Sequence, residues 1–290
     1  MLIGILDNPL SYLPEKFAYK EFLEQFGHKV VISTDLKEIE NDCDWIVIFM
    51  GFFNKKVKCK VLHDYASLST PPFQFLKDKV KVIFNSKPNF RLFNSPFFLE
   101  NLNFMDNINY KIREAGVDKG FFNIKNPKKE YDILYSGSER KGLLNNIENF
   151  AKRNFKILLL GNFSKEFRHQ LQKYKNITFG GVINRKDLPN LYQSCEYGFN
   201  FIPDVFPYNY QHSLKLIEYC ASNLKIISNK YHFVETFEKK NGGKFFYILD
   251  KFENLQDISK FEFITPNVNH LQWHNILKQI KFEDIFLQEI

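Results

Sequence analysis

The chain of 290 residues predicts an α/β fold made of two successive doubly wound, mostly parallel sheets. Three observations carry that expectation. The length suits about two domains of ordinary size. Short apolar runs alternate with helical patterns over residues 1–63 and again over 131–228, and strand–helix–strand repetition means βαβ units. Between the two series, residues 85–126 are less regular and rich in Asn, Phe and Pro.

The first series opens with LIGIL, a strand over Leu2–Leu6. PEKFAYKEFLEQFG predicts a helix that starts near Pro14 and stops at Gly27, with Pro at the start and Gly at the end as punctuation. The chain then returns as a strand at Lys29–Ser33. Asp35–Asn41 reads as a short helix, Trp45–Met50 as a strand and Lys58–His63 as another.

The second series begins in KEYDILYSGS, with a strand over Tyr131–Tyr135. Helices over Gly142–Arg153, Ser164–Lys173 and Arg185–Ser194 alternate with strands over Lys156–Gly161, Ile177–Phe179 and Tyr197–Ile202. In PYNYQHSLKLIEYCASNLKIIS, Leu214, Ile217 and Ala221 fall at helical spacing, and Lys225–Ser228 returns to strand. The tail His270–Gln288 reads as a helix expected to pack back on the first domain. The expected organisation is 1–126, 127–268 and 269–290, with the join near Asn126–Glu130.

Apolar residues make up 44%, enough for a core in each half. The four cysteines, Cys43, Cys59, Cys195 and Cys220, have no ligand-like spacing and read as free thiols of a reducing cytoplasm. The N-terminus enters a strand directly, so no signal peptide is expected. The longest apolar run, Trp45–Phe53, is too short to cross a bilayer. The net charge of +7 suits nucleic acid, an anionic membrane surface or an anionic substrate. The cations are spread along the chain and no nucleic-acid motif is present, which argues against nucleic acid. Contact with an anionic inner membrane stays open.

Two α/β domains invite a nucleotide at the carboxyl ends of their strands. The fingerprint G-x-G-x-x-G is absent after both first strands, which weakens a dehydrogenase. GSERKGLL (Gly137–Leu144) has P-loop glycine spacing, but Leu143 and Leu144 replace the required Lys and Ser/Thr. It keeps a phosphate logic: it follows a strand, opens a helix and adds Arg140 and Lys141 at that edge. A solvated basic turn would look the same. Asp42–Asp44 matches D-x-D, yet it precedes its strand, the wrong end of the sheet for a metal, so no metal is expected. His63, after an apolar strand ending at Leu62, would sit at a carboxyl edge. Glu218 lies inside a helix, three residues after Lys215. A surface ion pair is the plain explanation.

The order strand, GSERKG, helix, LLLG, helix, NITFGGVINRKDLPNLYQSCEYGFNF and SLKLIEYCASNLKIIS resembles the carboxyl-terminal domain of GT-B-fold glycosyltransferases, most like glycosyltransferase family 4. FAYKEFLEQFGHKVV is similar to the family's amino-terminal unit. The resemblance implies two Rossmann-like domains facing each other across a cleft, with a nucleotide-sugar donor, UDP-linked, in the second. It implies transfer to a hydroxyl of a glycan or lipid-linked glycan, with retention, without metal or other cofactor, in bacterial surface polysaccharide synthesis. Lys141 matches the loop lysine, and Arg140 stands in for a shifted loop arginine. Gly137 and Ser138 belong to the donor loop. Gly181, Val182 and Ile183 match the turn flanking the base. Tyr210, Ser213, Leu214, Lys215 and Glu218 match the sugar- and ribose-reading segment, with Glu218 as ribose acceptor. His63 falls near the strand end that faces the donor sugar. Tyr210 stands where the family has a glutamate, and Asn223-Leu224-Lys225 replaces its small-x-Pro turn. Those departures keep a second reading open, a noncatalytic GT-B-like binder or partner subunit.

Overall fold

The structure, a computed structural model, describes residues 1–9, 13–125, 127–249 and 252–287. Two compact units divide the chain: Met1–Gly116 with His270–Ile290, and Val117–Asn269.

The first unit holds strands β1 (Leu2–Leu6), β2 (Lys29–Ser33), β3 (Trp45–Phe49), β4 (Lys60–Tyr65), β5 (Phe90–Phe93) and β6 (Tyr110–Ile112), in the order β2-β1-β3-β4-β5-β6. All pairs are parallel, and Ile3 of β1 lies between Val30 and Trp45. Runs such as WIVIF are buried on both faces, as a parallel sheet covered by helices requires. Its helices are α1 (Glu15–Glu24), α2 (Leu36–Ile39), α3 (Gln74–Phe84) and α4 (Pro96–Leu102).

The second unit holds β7 (Tyr131–Ser136), β8 (Ile157–Leu160), β9 (Ile177–Gly181), β10 (Cys195–Asn200), β11 (Lys225–Ser228) and β12 (Phe246–Tyr247). Their order is β12-β11-β10-β7-β8-β9, again all parallel. Helices α5 (Leu143–Lys152), α6 (Lys165–Leu171), α7 (Leu188–Gln193), α8 (Leu214–Ala221) and α9 (His232–Asn241) connect them. The strand order reverses between β7 and β10, so the connections after these neighbours leave in opposite directions. That opens a crevice at their carboxyl ends.

The tail, with α10 (Trp273–Gln279) and α11 (Asp284–Leu287), belongs to the first unit; Gln288 lies outside the described residues. Trp273, Leu277, Phe282, Ile285 and Phe286 share one core with Tyr19, Phe22 and Trp45. Each large apolar side chain so buried contributes on the order of 2 kcal/mol. Gly116 makes room for this packing, since a Cβ there would come within 2.3 Å of the Trp273 ring.

Residues 85–126 are more ordered than their composition suggests. They contain β5, α4 and β6, of which the strands have only four and three residues, too few to show a period. Helix α3 escapes the sequence reading altogether. The segment Val117–Lys125 sits with the second unit, ahead of the expected join, whose first residue, Asn126, lies outside the described residues. Phe121 packs edge-on against Tyr192, and the Lys125 N–H donates to Gln193 Oε1 at 2.7 Å.

Candidate functional site

Three glycines line the carboxyl ends of β7, β8 and β9. Gly137, Gly161 and Gly181 have φ of 139°, 135° and 71°, a region that favours residues without a Cβ. They are stitched together by backbone. The Gly137 N–H donates to Leu160 O at 2.9 Å, and the Gly161 N–H donates to Gly181 O at 2.7 Å. A Cβ on Gly161 would meet Gly137 O at 2.2 Å. The loop after β7 is thereby pressed onto its neighbour, and Ser138 to Lys141 project beyond the sheet. Ser138 is exposed, and its carbonyl accepts from the Tyr135 hydroxyl at 2.8 Å.

Across the crevice, Asn200 ends β10. It is fully buried and ties four elements together. Its amide donates to Ser228 Oγ and to the Tyr231 hydroxyl, and its Oδ1 accepts from Ser213 Oγ at 2.8 Å. Ser213 precedes α8, so this bond fixes where α8 begins. The first turns of α5 and α8 therefore both start at the edge of the β7–β10 crevice, where unpaired helix N–H groups and the dipole favour an anion.

Two cations meet there, Arg140 and Lys215, and Lys141 is exposed on the same loop, lining its α6 side. The Arg140 guanidinium lies 4.9 Å from the Tyr208 ring centre. Lys215 reaches back from the first turn of α8 to β7. Its amine donates to Phe201 O at 2.9 Å and stands 4.2 Å over the Tyr135 ring. A Cβ on Gly137 would lie 3.9 Å from that amine. Burial of the amine, and second the charge of Arg140, lower the Lys215 ammonium well below the usual lysine range. Burial likewise raises the Tyr135 phenol, opposed by Arg140. A surface cleft of 320 Å³ lies between this loop and α6, lined by Arg140 and Lys141 but also by Glu139 and Glu166, and a larger hollow of 690 Å³ follows α6 and the edge strand β9; both lie on the α6 side of the loop.

Glu218 is not placed as the sequence suggests. It makes no pair with Lys215, and it is not open to a ribose in this structure. It is 4% exposed, its Oε1 accepts from Arg185 Nη1 at 2.8 Å, and its Oε2 accepts from the Tyr192 hydroxyl at 3.0 Å. Arg185 also donates through Nε to Asp118. Burial raises the Glu218 pKa, and Arg185 and Tyr192 act against that rise. The helical phase explains the split: Lys215 leaves α8 toward β7, and Glu218 leaves it toward α7 and the 3-10 turn Arg185–Asp187. Arg185, Tyr192 and Asn200 lie within the segment NITFGGVINRKDLPNLYQSCEYGFNF, where nothing in the sequence marks these roles, and Asp118 lies outside every motif.

The remaining residues divide. Gly181, Val182 and Ile183 form the end of edge strand β9 and the turn after it, with Val182 80% exposed. Leu214 is half-buried at the start of α8. The Tyr210 ring packs on His232, centroids 4.2 Å apart, and presents no carboxylate. Asn223 has φ of 58°; asparagine is the non-glycine residue that best tolerates this, so the departed turn keeps its backbone path.

His63 lies within β4, which continues to Tyr65, and not at an exposed edge. It is fully buried, and neither ring nitrogen has a hydrogen-bond partner among the described residues. Burial, then the Arg91 charge, lower its pKa to about 3, so the ring is neutral. It cannot touch a substrate in this structure. Its neighbour Asp64 is equally buried, accepting from Tyr19 at 2.6 Å and from Arg113 Nη2 at 2.9 Å. Asp44, of the D-x-D match, accepts from the Leu2 N–H at 2.8 Å, at the amino end of the sheet.

No family model and no curated protein sequence matches the chain. Solved structures match it along its whole length. HepE of Anabaena, in complex with UDP and glucose, aligns with a TM-score of 0.68 at 14% identity, covering 98% of this chain and 99% of its own. AviGT4, a glycosyltransferase involved in avilamycin A biosynthesis, gives 0.67 at 12% identity, covering 99% and 97%. A glycosyltransferase from Rickettsia africae gives 0.66 at 15%, covering 100% and 99%. With its two six-stranded parallel sheets, the chain has the GT-B fold of these glycosyltransferases.

Proposed function

We propose that the chain is a glycosyltransferase that moves a sugar from a UDP-sugar to an acceptor hydroxyl. The observation that carries this is the carboxyl end of β7 and β10, where the Lys215 amine stands beside the Gly137 loop within reach of the Arg140 charge and the helices α5 and α8 begin, a setting suited to a diphosphate, with Lys141 exposed on the same loop. The whole-length likeness to an enzyme solved with UDP and glucose supports the choice of donor.

In the reaction, the bond from the sugar's anomeric carbon to the β-phosphate oxygen breaks, and a bond to the acceptor oxygen forms. Negative charge grows on the leaving diphosphate. Lys215, Arg140 and the helix N-termini neutralise it as it develops, with Lys141 on the same loop, which needs no metal. The acceptor proton passes to the departing phosphate, with attack on the same face and retention. Glu218 acts at one remove, holding Arg185 and Tyr192 behind the first turn of α8. The acceptor is a glycan or lipid-linked glycan of surface polysaccharide synthesis, met at the cytoplasmic face of an anionic inner membrane.

The departure at Tyr210 favours the second reading, a noncatalytic nucleotide binder. Donor hydrolysis separates them. Incubated with UDP-glucose and related UDP-sugars in chelator and without acceptor, the chain should release UDP slowly with at least one. Binding of UDP without release from any of them would favour the binder. No stabilisation by any nucleoside diphosphate would overturn both, since a native-state ligand must raise stability.

A further inference from the structure

Helix α3, QFLKDKVKVIF, faces the wrong way for a helix that packs on a core. Its one buried residue is Asp78, whose carboxylate accepts from the Ser69 N–H at 3.0 Å and lies 3.4 Å from the Lys81 amine. Its large apolar side chains face water. Phe75, Leu76, Ile83 and Phe84 are 62%, 61%, 70% and 54% exposed. At about 3.6 residues per turn, Leu76, Val80, Ile83 and Phe84 make one outward stripe, with Lys79 on one flank and Lys77 on the other. Phe52 joins its carboxyl end. The Phe53 N–H donates to Asn85 Oδ1, and Asn85 Nδ2 donates to Gly51 O, which ties that loop to the helix. Scattered exposed apolar residues mean little, but a contiguous set marks a contact surface.

Charge identifies the occupant. Between Gly51 and Asn89 the sequence has eight lysines, no arginine and two acids, Asp64 and Asp78. Both acids are buried, so the charge this stretch itself presents to solvent is lysine, with Glu100 of the neighbouring α4 the exposed acid beyond it. Eight cations against two acids is +6 of the chain's +7. Eight of the chain's 34 lysines fall in these 39 residues, and neither acid among them is exposed. An apolar stripe flanked by lysines suits the plane of an anionic bilayer, with the rings in the headgroup boundary and the amines on lipid phosphates. A second copy of this chain would set like charges against like.

We infer that the α3 face docks on an anionic membrane surface through Phe75, Leu76, Ile83 and Phe84, with Lys77 and Lys79 meeting the headgroups. This gives a surface to the membrane contact of the proposed function, on observations that the donor site does not use.

Flotation of the full chain with vesicles tests it. The chain should float with phosphatidylcholine–phosphatidylglycerol vesicles, far less with phosphatidylcholine alone, and less as salt rises. Lys77→Gln/Lys79→Gln should weaken partition about thirtyfold, at about 1 kcal/mol per lysine. Leu76→Gln/Ile83→Gln should abolish flotation. All four side chains are at least partly free of packing, so UDP titration of each variant should match wild type and report a native second unit. A wild type that binds UDP and does not float overturns the proposal, as does undiminished flotation of Leu76→Gln/Ile83→Gln. A dimer in sedimentation that Leu76→Gln/Ile83→Gln dissolves would make the face a contact between copies and also overturn it. Flotation without UDP binding would support the surface and strike only the donor reading.

Discussion

Lys215 and Glu218 stand three residues apart on α8 and have opposite surroundings. Lys215 looks onto the strand ends of β7 and β10, where its amine has a carbonyl and a ring but no counter-ion within salt-bridge range among the described residues. Glu218 is sealed behind the helix with Arg185 and Tyr192. A buried acid already paired has its charge satisfied; a half-buried cation without a counter-ion has not. The first unit repeats the sealed design. Asp64 there accepts from Arg113 and Tyr19, as Glu218 does from Arg185 and Tyr192. Each unit thus carries a carboxylate–arginine–tyrosine lock, and among the described residues the second sets cations without a carboxylate partner beside its strand-order reversal.

Breaking the lock should have the largest effect. Glu218→Ala leaves Arg185 without its buried partner and should cost about 3–5 kcal/mol in urea unfolding. Lys215→Met should cost under about 0.5 kcal/mol, since it relieves a desolvated amine and keeps the stem on Tyr135. Equal losses would erase the contrast between the two positions.

Lys141→Ala should reverse the pattern. Losing a donor at a developing charge typically costs on the order of 3 kcal/mol in turnover. The unfolding midpoint should stay within about 0.5 kcal/mol of wild type, because the side chain is exposed. Unchanged turnover in the folded variant would return GSERKG to a solvated turn.

His63 belongs with the sealed groups, and its pH signature can say so. Its folded pKa of about 3 lies below the unfolded value of 6.5. Between these values the unfolded chain binds more protons, so stability falls as pH drops from about 6.5 toward 3, by up to about 1.4 kcal/mol per pH unit. His63→Gln should flatten that slope while sparing activity at neutral pH. A slope unchanged by the substitution would mean that the ring is already open to water.

Much of the fold is legible in the sequence because parallel strands are short apolar runs divided by punctuated helices, as in LIGIL, WIVIF and YDILYS. The loop after β7 is legible because glycine marks the left-handed positions at Gly137 and Gly142. What is hidden has physical reasons. The strand length that takes His63 from edge to interior depends on pairing with β3 and β5. The phase that turns Lys215 and Glu218 apart depends on where Asn200 and Ser213 start α8. Helix α3 has an apolar stripe with no core beneath it, which a sequence cannot distinguish from one that has.

Calorimetric titration of UDP, in chelator, into wild type and Lys215→Met tests the central claim most directly. Wild type should bind saturably, one to one. Affinity in the variant should be lower by about thirtyfold, the loss of one charge-assisted contact of about 2 kcal/mol, with an unchanged melting temperature. Equal affinity in the two proteins would contradict it, and would leave the β7–β10 crevice a sheet edge with cations on it.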